Sequence, residues 1–244
     1  MGFWSSVGGA ISSACSAIGS AVSSACSAIS NTFGSVSSTF REAVENIGTV
    51  VSIAAPIVSA LSVVMPQLRP LAAVLDVALV VVGLLKPEET VEDIGDKVLQ
   101  GYEQDIKPAD FSTYDEYITA IRNVKLDPEK SKEFNFGEKI TAGTTVMAWG
   151  MEEKLGQGSS DLLVHIIADA PNIAKGEGYF TESRVQNILD KIKDIADVAK
   201  YFSNKLNPDD NNRVEQELVK AEQGLNPEKS VDNIYQELDQ HRQS

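Results

Sequence analysis

Residues 1–51 read MGFWSSVGGAISSACSAIGSAVSSACSAISNTFGSVSSTFREAVENIGTVV, and the whole chain is organised around them. No Lys, Arg, Asp, Glu or His occurs before Arg41, and 13 of the first 40 residues are Ser. The bulkier apolar residues fall at Val7, Ile11, Cys15, Ile18, Val22, Cys26, Ile29, Phe33, Val36, Phe40, Val44, Ile47 and Val51, always three or four apart. That spacing predicts a helical stripe sustained over many turns. Between residues 7 and 39 everything off the stripe is Ser, Ala, Gly, Thr or Asn.

The stripe also repeats: Ile11-Ser-Ser-Ala-Cys-Ser-Ala-Ile18 returns as Val22-Ser-Ser-Ala-Cys-Ser-Ala-Ile29, eleven residues later. Eleven residues are three turns plus roughly 20°, which keeps the apolar edge on one side with a slow right-handed drift. An ordinary surface helix sets charges opposite its stripe; this one sets hydroxyls and bare backbone there. Small residues and Ser hydroxyls suit helix pairing in lipid, a bundle lining a polar conduit, or a helix lying in a membrane interface. The uncharged polar face resembles lipid-packing-sensor helices. A buried small-residue bundle helix and a flexible Ser-rich linker are the two alternative readings. Phe3 and Trp4 suit an interface anchor. A single helix through residue 51 would be roughly 70 Å long against a bilayer core of about 30 Å, so it must lie flat, fold back at a glycine or project from the membrane. Cys15 and Cys26 share the stripe about 16 Å apart, too far for a disulfide within one helix.

The next stretch is apolar on nearly all sides. Residues 49–65 carry no charge, residues 71–85 carry only Asp76, and Pro66-Gln-Leu-Arg-Pro70 separates them. This predicts a helical hairpin marked by Val51, Ile57, Leu61, Leu75, Asp76 and Leu79, with each arm near the minimum spanning length. Its plan is similar to that of channel-forming colicins, in which an apolar hairpin held inside a soluble helical bundle later enters lipid. The alternative is the central hairpin of a globular core. Asp76 discriminates: lipid demands a pore or partner for it, whereas a bundle demands only hydrogen bonds or water.

Charge divides the chain at residue 86. The net charge is −14, yet residues 1–86 balance Arg41, Arg69 and Lys86 against Glu42, Glu45 and Asp76, and residues 87–244 hold 18 basic and 32 acidic residues. An acidic C-terminal part repels phosphate, which argues against nucleic acid as a partner and leaves any membrane contact to the hydrophobic N-terminal part. We therefore expect three regions: a small-residue amphipathic helical region at 1–48, an apolar hairpin at 49–86, and an acidic helical domain at 87–244. In the last, helices are predicted over 91–102, from Ser112-Thr-Tyr-Asp115 to about residue 124, over 136–155, over 162–168 behind a Ser159-Ser-Asp161 cap, over 182–206, over 214–225 with its start at Asp209-Asp210, and through Ile234, Leu238 and His241. Leu126-Asp-Pro128, Asn207-Pro208 and Asn226-Pro227 are read as stops. No period-2 pattern appears, so the fold class is all-α.

Chemistry-bearing motifs are missing. His165 stands between Val164 and Ile166, and two histidines with two stripe cysteines make no convincing zinc site. Lys154-Leu-Gly-Gln-Gly158 lacks the closing Lys-Ser/Thr of a phosphate loop, and Asp209-Asp210-Asn211-Asn212 lacks the glycine and terminal Glu of a calcium loop. These features predict a protein that is not an enzyme and needs no cofactor. The N-terminus lacks a basic n-region and a compact apolar core, so no secretory signal is read and synthesis in the cytoplasm is expected.

The expected function is a membrane-active, pore-forming toxin-like effector, delivered to its target membrane and oligomerising through its N-terminal third. Phe3, Trp4, Val7, Ile11, Ile18, Val22, Ile29, Phe33, Val36 and Phe40 would face lipid. Its expected partners are the bilayer, copies of itself, and a chaperone or immunity protein. Two other classes fit the same residues: a structural or membrane-penetration component of a virion, phage or injection particle, and a soluble partner-binding module whose N-terminal helix is covered by a chaperone.

Overall fold

Side-chain caps decide where these helices begin. Thr90 accepts from the Asp93 amide, Thr113 from Glu116, Thr181 from Arg184, and Asp194 from Asp197. Asn135 and Glu138 cap each other's amides reciprocally, at 3.1 and 2.6 Å. Each such bond satisfies an amide that the first helical turn cannot.

The computed structural model describes residues 41, 44–48, 69–169, 172–173 and 176–243. Among them are ten α-helices and no strand: α1 (Arg69–Val81), α2 (Val91–Glu103), α3 (Tyr114–Arg122), α4 (Pro128–Glu133), α5 (Phe136–Leu155), α6 (Asp161–Ala168), α7 (Glu182–Lys191), α8 (Ile195–Phe202), α9 (Pro208–Leu225) and α10 (Val231–Gln243), with a 3-10 turn at Pro108–Asp110. The all-α class is what the periodicities predict, and α2, α5 and the ends of α9 and α10 fall within a residue or two of them.

Three elements differ from the sequence reading. The predicted helix over 182–206 is two helices, because Ile192 turns extended (φ −102°, ψ 115°) and Asp194 starts a new cap. The Asp127-Pro128 stop is also a start: Asp127 caps Glu129 and Pro128 occupies the first turn of α4, where its missing amide costs nothing. Ser160 stands at the N-cap of α6 but makes no side-chain cap bond; its hydroxyl donates to Glu152 instead.

Packing gathers the helices into two groups joined by α1. In the first, α2 crosses α5, with α3 against both and α4 against α2. The crossing is tight because of two glycines: a Cβ on Gly95 would lie 1.8 Å from the Lys139 carbonyl oxygen, and one on Gly143 would lie 2.0 Å from that of Val91. In the second group α7 packs on α9, α8 on α6 and α9, and α10 on α8 and α9. Helix α1 touches α2 on one side and α6 and α7 on the other, burying Leu71, Val74, Leu75, Ala78 and Leu79. One hydrophobic core therefore runs from Val44 and Ile47 to Leu238.

Candidate functional site

Of the residues expected to meet lipid, Leu75, Asp76 and Leu79 lie on α1. Phe3, Trp4, Val7, Ile11, Ile18, Val22, Ile29, Phe33, Val36, Phe40, Val51, Ile57 and Leu61 lie outside the described residues, as do Cys15 and Cys26. No helix among the described residues is long and apolar enough to cross a membrane.

Helix α1 ends at a turn that its sequence specifies. Gly83 takes φ +74°, the Leu84 amide donates to Leu79 O at 2.8 Å, and the Gly83 amide donates to Val80 O at 3.0 Å. This is a Schellman motif with glycine at its left-handed position and two buried leucines, Leu79 and Leu84, closing it. Leu75 and Leu79 have no exposed surface. Burying the four large side chains of α1 is worth on the order of 8 kcal/mol at about 2 kcal/mol each, so thermal motion alone does not uncover them.

Asp76 is half-buried on this apolar helix. Its Oδ1 accepts from the Val91 amide at 2.6 Å, which places the carboxylate at the first residue of α2. Burial pushes the carboxyl up to about 6; the Val91 bond opposes this, and the nearby charges of Asp93 and Glu92 reinforce it. Asp76 thus has the hydrogen-bonding partner that a bundle requires, and it links α1 to the first helix beyond residue 86.

Two further polar clamps are formed by residues after and before α1 in the chain. Glu89 accepts from Arg122 Nε at 2.8 Å and Nη2 at 2.8 Å, while Arg122 Nη2 also donates to Leu84 O at 2.9 Å. Burial raises the Glu89 carboxyl, but Arg122 and Lys86 outweigh it and leave it below its ordinary value. Upstream, Arg41 Nη2 donates to Pro108 O at 3.0 Å and Phe111 O at 2.7 Å, and its guanidinium stands 5.7 Å from the Trp149 ring centre. Val44 and Ile47, the last described members of the N-terminal stripe, are fully buried.

The sequence did not reveal three buried polar networks. Glu152 accepts from the amides of Gly158 and Ser160. Asp96 pairs with Lys139 at 2.8 Å and accepts from Gln100 Nε2 at 2.9 Å. Burial raises the Glu222 carboxyl, but Arg184, Asn226 and Lys229 bring it down to about 2. In each case donors from this chain already occupy the carboxylate, and no cluster of three or more metal-binding side chains occurs among the described residues.

Both histidines of the chain border Phe202. His165 Nε2 lies 2.9 Å from Ser203 Oγ, but that hydroxyl donates to Ala199 O at 2.9 Å. Its proton is committed to the preceding helical turn, so the imidazole N–H is the donor, opposite to the wiring of a nucleophile and its base. The His165 ring centre is 5.8 Å from Phe202. His241 stacks on Tyr179 at 4.7 Å and meets Phe180 and Phe202 edge-on at 4.9 and 5.4 Å. Burial lowers His165 to about 4, aided by His241, and lowers His241 as well, with Arg184 adding and Asp169 opposing.

Compared with known proteins, no family model matches the chain, and no curated protein or solved structure matches it.

Proposed function

We propose that this chain is a non-enzymatic, membrane-active protein whose residues 1–86 insert into a bilayer and oligomerise to permeabilise it, carried by the helical remainder. The observation that carries this reading is the charge-free ribbon of residues 1–40, with an apolar residue at every third or fourth place and hydroxyls elsewhere. Such a ribbon is stable against acyl chains on one side and against copies of itself, or water in a conduit, on the other. The environment of α1 is compatible: an apolar helix is stored inside a bundle, and burial raises its single carboxyl to about 6, so that it neutralises in mild acid. Its partners are the bilayer and further copies of the chain, with a chaperone or immunity protein covering the ribbon before delivery.

Dye release from liposomes tests this. The intact protein is expected to release dye, and a double substitution Ile18→Asp and Ile29→Asp, which sets two charges on the stripe, is expected to abolish release. Equal leakage by the two proteins sinks the reading. The small-residue repeat also fits a particle component in which helices pack side by side. That reading predicts a stable oligomer in plain buffer, so measuring particle size with and without liposomes separates the two.

A further inference from the structure

His165 and His241 come from helices far apart in sequence, yet both are packed around one phenylalanine, where α6, α8 and α10 meet. The arrangement uses neutral rings. His165 offers one N–H to Ser203 between the Phe202 ring and the Ala199 turn, and His241 lies flat on Tyr179, inclined by only 16°. Helix α6, which carries His165, packs directly on α1.

We infer that the two histidines form an acid-sensitive latch: neutral, they hold α6 to α8 and α10, and protonated, they release α6 and uncover the part of α1 that lies beneath it.

Burial among the aromatic rings sets the direction, and the charged groups nearby modify it. On α6 and just beyond it, Asp161 and Asp169 favour the charged rings; Lys205, after α8, and Arg184, on α7, oppose them. The remaining charges nearby are already paired. On α8, Asp197 is held by Lys200 and Arg213. Glu222 of α9 and Glu237 of α10 are held by Arg184 and Lys229, and Glu215 of α9 pairs with Arg242 of α10. On α1, Asp76 is engaged by Val91.

Both rings bind protons less readily when closed than when opened. The latch is therefore fully effective above about pH 6.5 and weakens as pH falls towards the lowered folded-state values, His165 reaching about 4. Within that window each histidine raises the opening constant up to about tenfold per pH unit, and the pair up to about a hundredfold. Asp76 acts in the opposite sense, since its raised value favours the closed fold in acid, but one group at up to about tenfold per unit is outweighed by two. Its protonation also removes the only carboxylate charge on α1. The latch rests on packing alone; its use as a membrane trigger rests on the function proposed above.

Hydrogen exchange of the full chain, corrected for intrinsic rates, tests the latch at about pH 7.5 and about pH 5. Protection of α6 and α10 is expected to fall by about tenfold or more in the wild type and by under about threefold in His165→Gln/His241→Phe, which keeps a donor at one site and a ring at the other. Equal loss in both proteins overturns the latch. Should the double variant not fold, a histidine NMR titration of the wild type decides. Rings that stay neutral until the protein opens support the latch, and a ring titrating at or above about 6.5 in the closed state overturns it. Dye release run in parallel separates the two proposals. Release that rises in acid only with the histidines present supports the trigger, and equal release at both pH values overturns the trigger. No release at either pH overturns the membrane function, while histidine-dependent exchange still upholds the latch.

Discussion

At the scale of single residues, Asp76 carries the most information. A carboxyl on an apolar helix is costly wherever the helix goes, and here the Val91 amide, 2.6 Å away, offsets part of that cost. Its value of about 6 lies above its ordinary 3.8. The folded state therefore holds this proton more tightly than the unfolded chain does, and the group's stabilising contribution, complete below about 3.8, is lost as pH rises through about 6. Asp76→Asn keeps an acceptor for Val91 and removes the charge. Urea midpoints are expected to show the variant at least as stable as the wild type near neutrality, the advantage shrinking towards pH 4. A variant less stable at every pH would mean that the ionised form is the one the fold favours. The sequence reading identified Asp76 as the discriminating residue, but its partner lies fifteen positions away across a turn, and no periodicity points to such a pairing.

At the scale of elements, the α2–α5 pair depends on two glycines that a sequence reading takes for helix-weakening positions. Backbone oxygens occupy the sites where side chains would stand, so even a methyl group must push the helices apart. Gly143→Ala is expected to cost about 3 kcal/mol in chemical denaturation, and a loss below about 0.5 kcal/mol would show that the crossing yields easily. The same scale accounts for the broken 182–206 helix. Val185, Ile188, Ile192, Ile195, Val198 and Phe202 are all buried, so the apolar period runs unbroken while the backbone does not. Hydrophobic spacing reports which face is covered, whereas the Asp194 cap reports where hydrogen bonding restarts.

At the scale of the whole molecule, charge and packing divide the chain differently. Net charge changes character after residue 86, but α1, before that point, lies between the two helical groups after it. A fragment of residues 87–244 lacks the buried face of α1, worth on the order of 8 kcal/mol, against a total stability of about 5–15 kcal/mol for a typical domain. It is expected to show no cooperative thermal transition by circular dichroism, whereas residues 41–244, keeping Arg41, Val44, Ile47 and α1, should melt cooperatively. A sharp transition in the shorter fragment would mean that α1 only decorates a domain complete without it.

The sequence alone determined that the described residues are helical, where most of their helices start and stop, and that the chain's excess negative charge lies beyond residue 86. Those properties depend on period, caps and composition, which are local. Only the tertiary structure decided that α1 is a central core helix, that Asp76 belongs to the start of α2, and that the two histidines share one phenylalanine. These depend on which apolar faces meet, and an apolar stripe carries no address for its partner: burial is rewarded by area removed from water, whatever side chain supplies the cover.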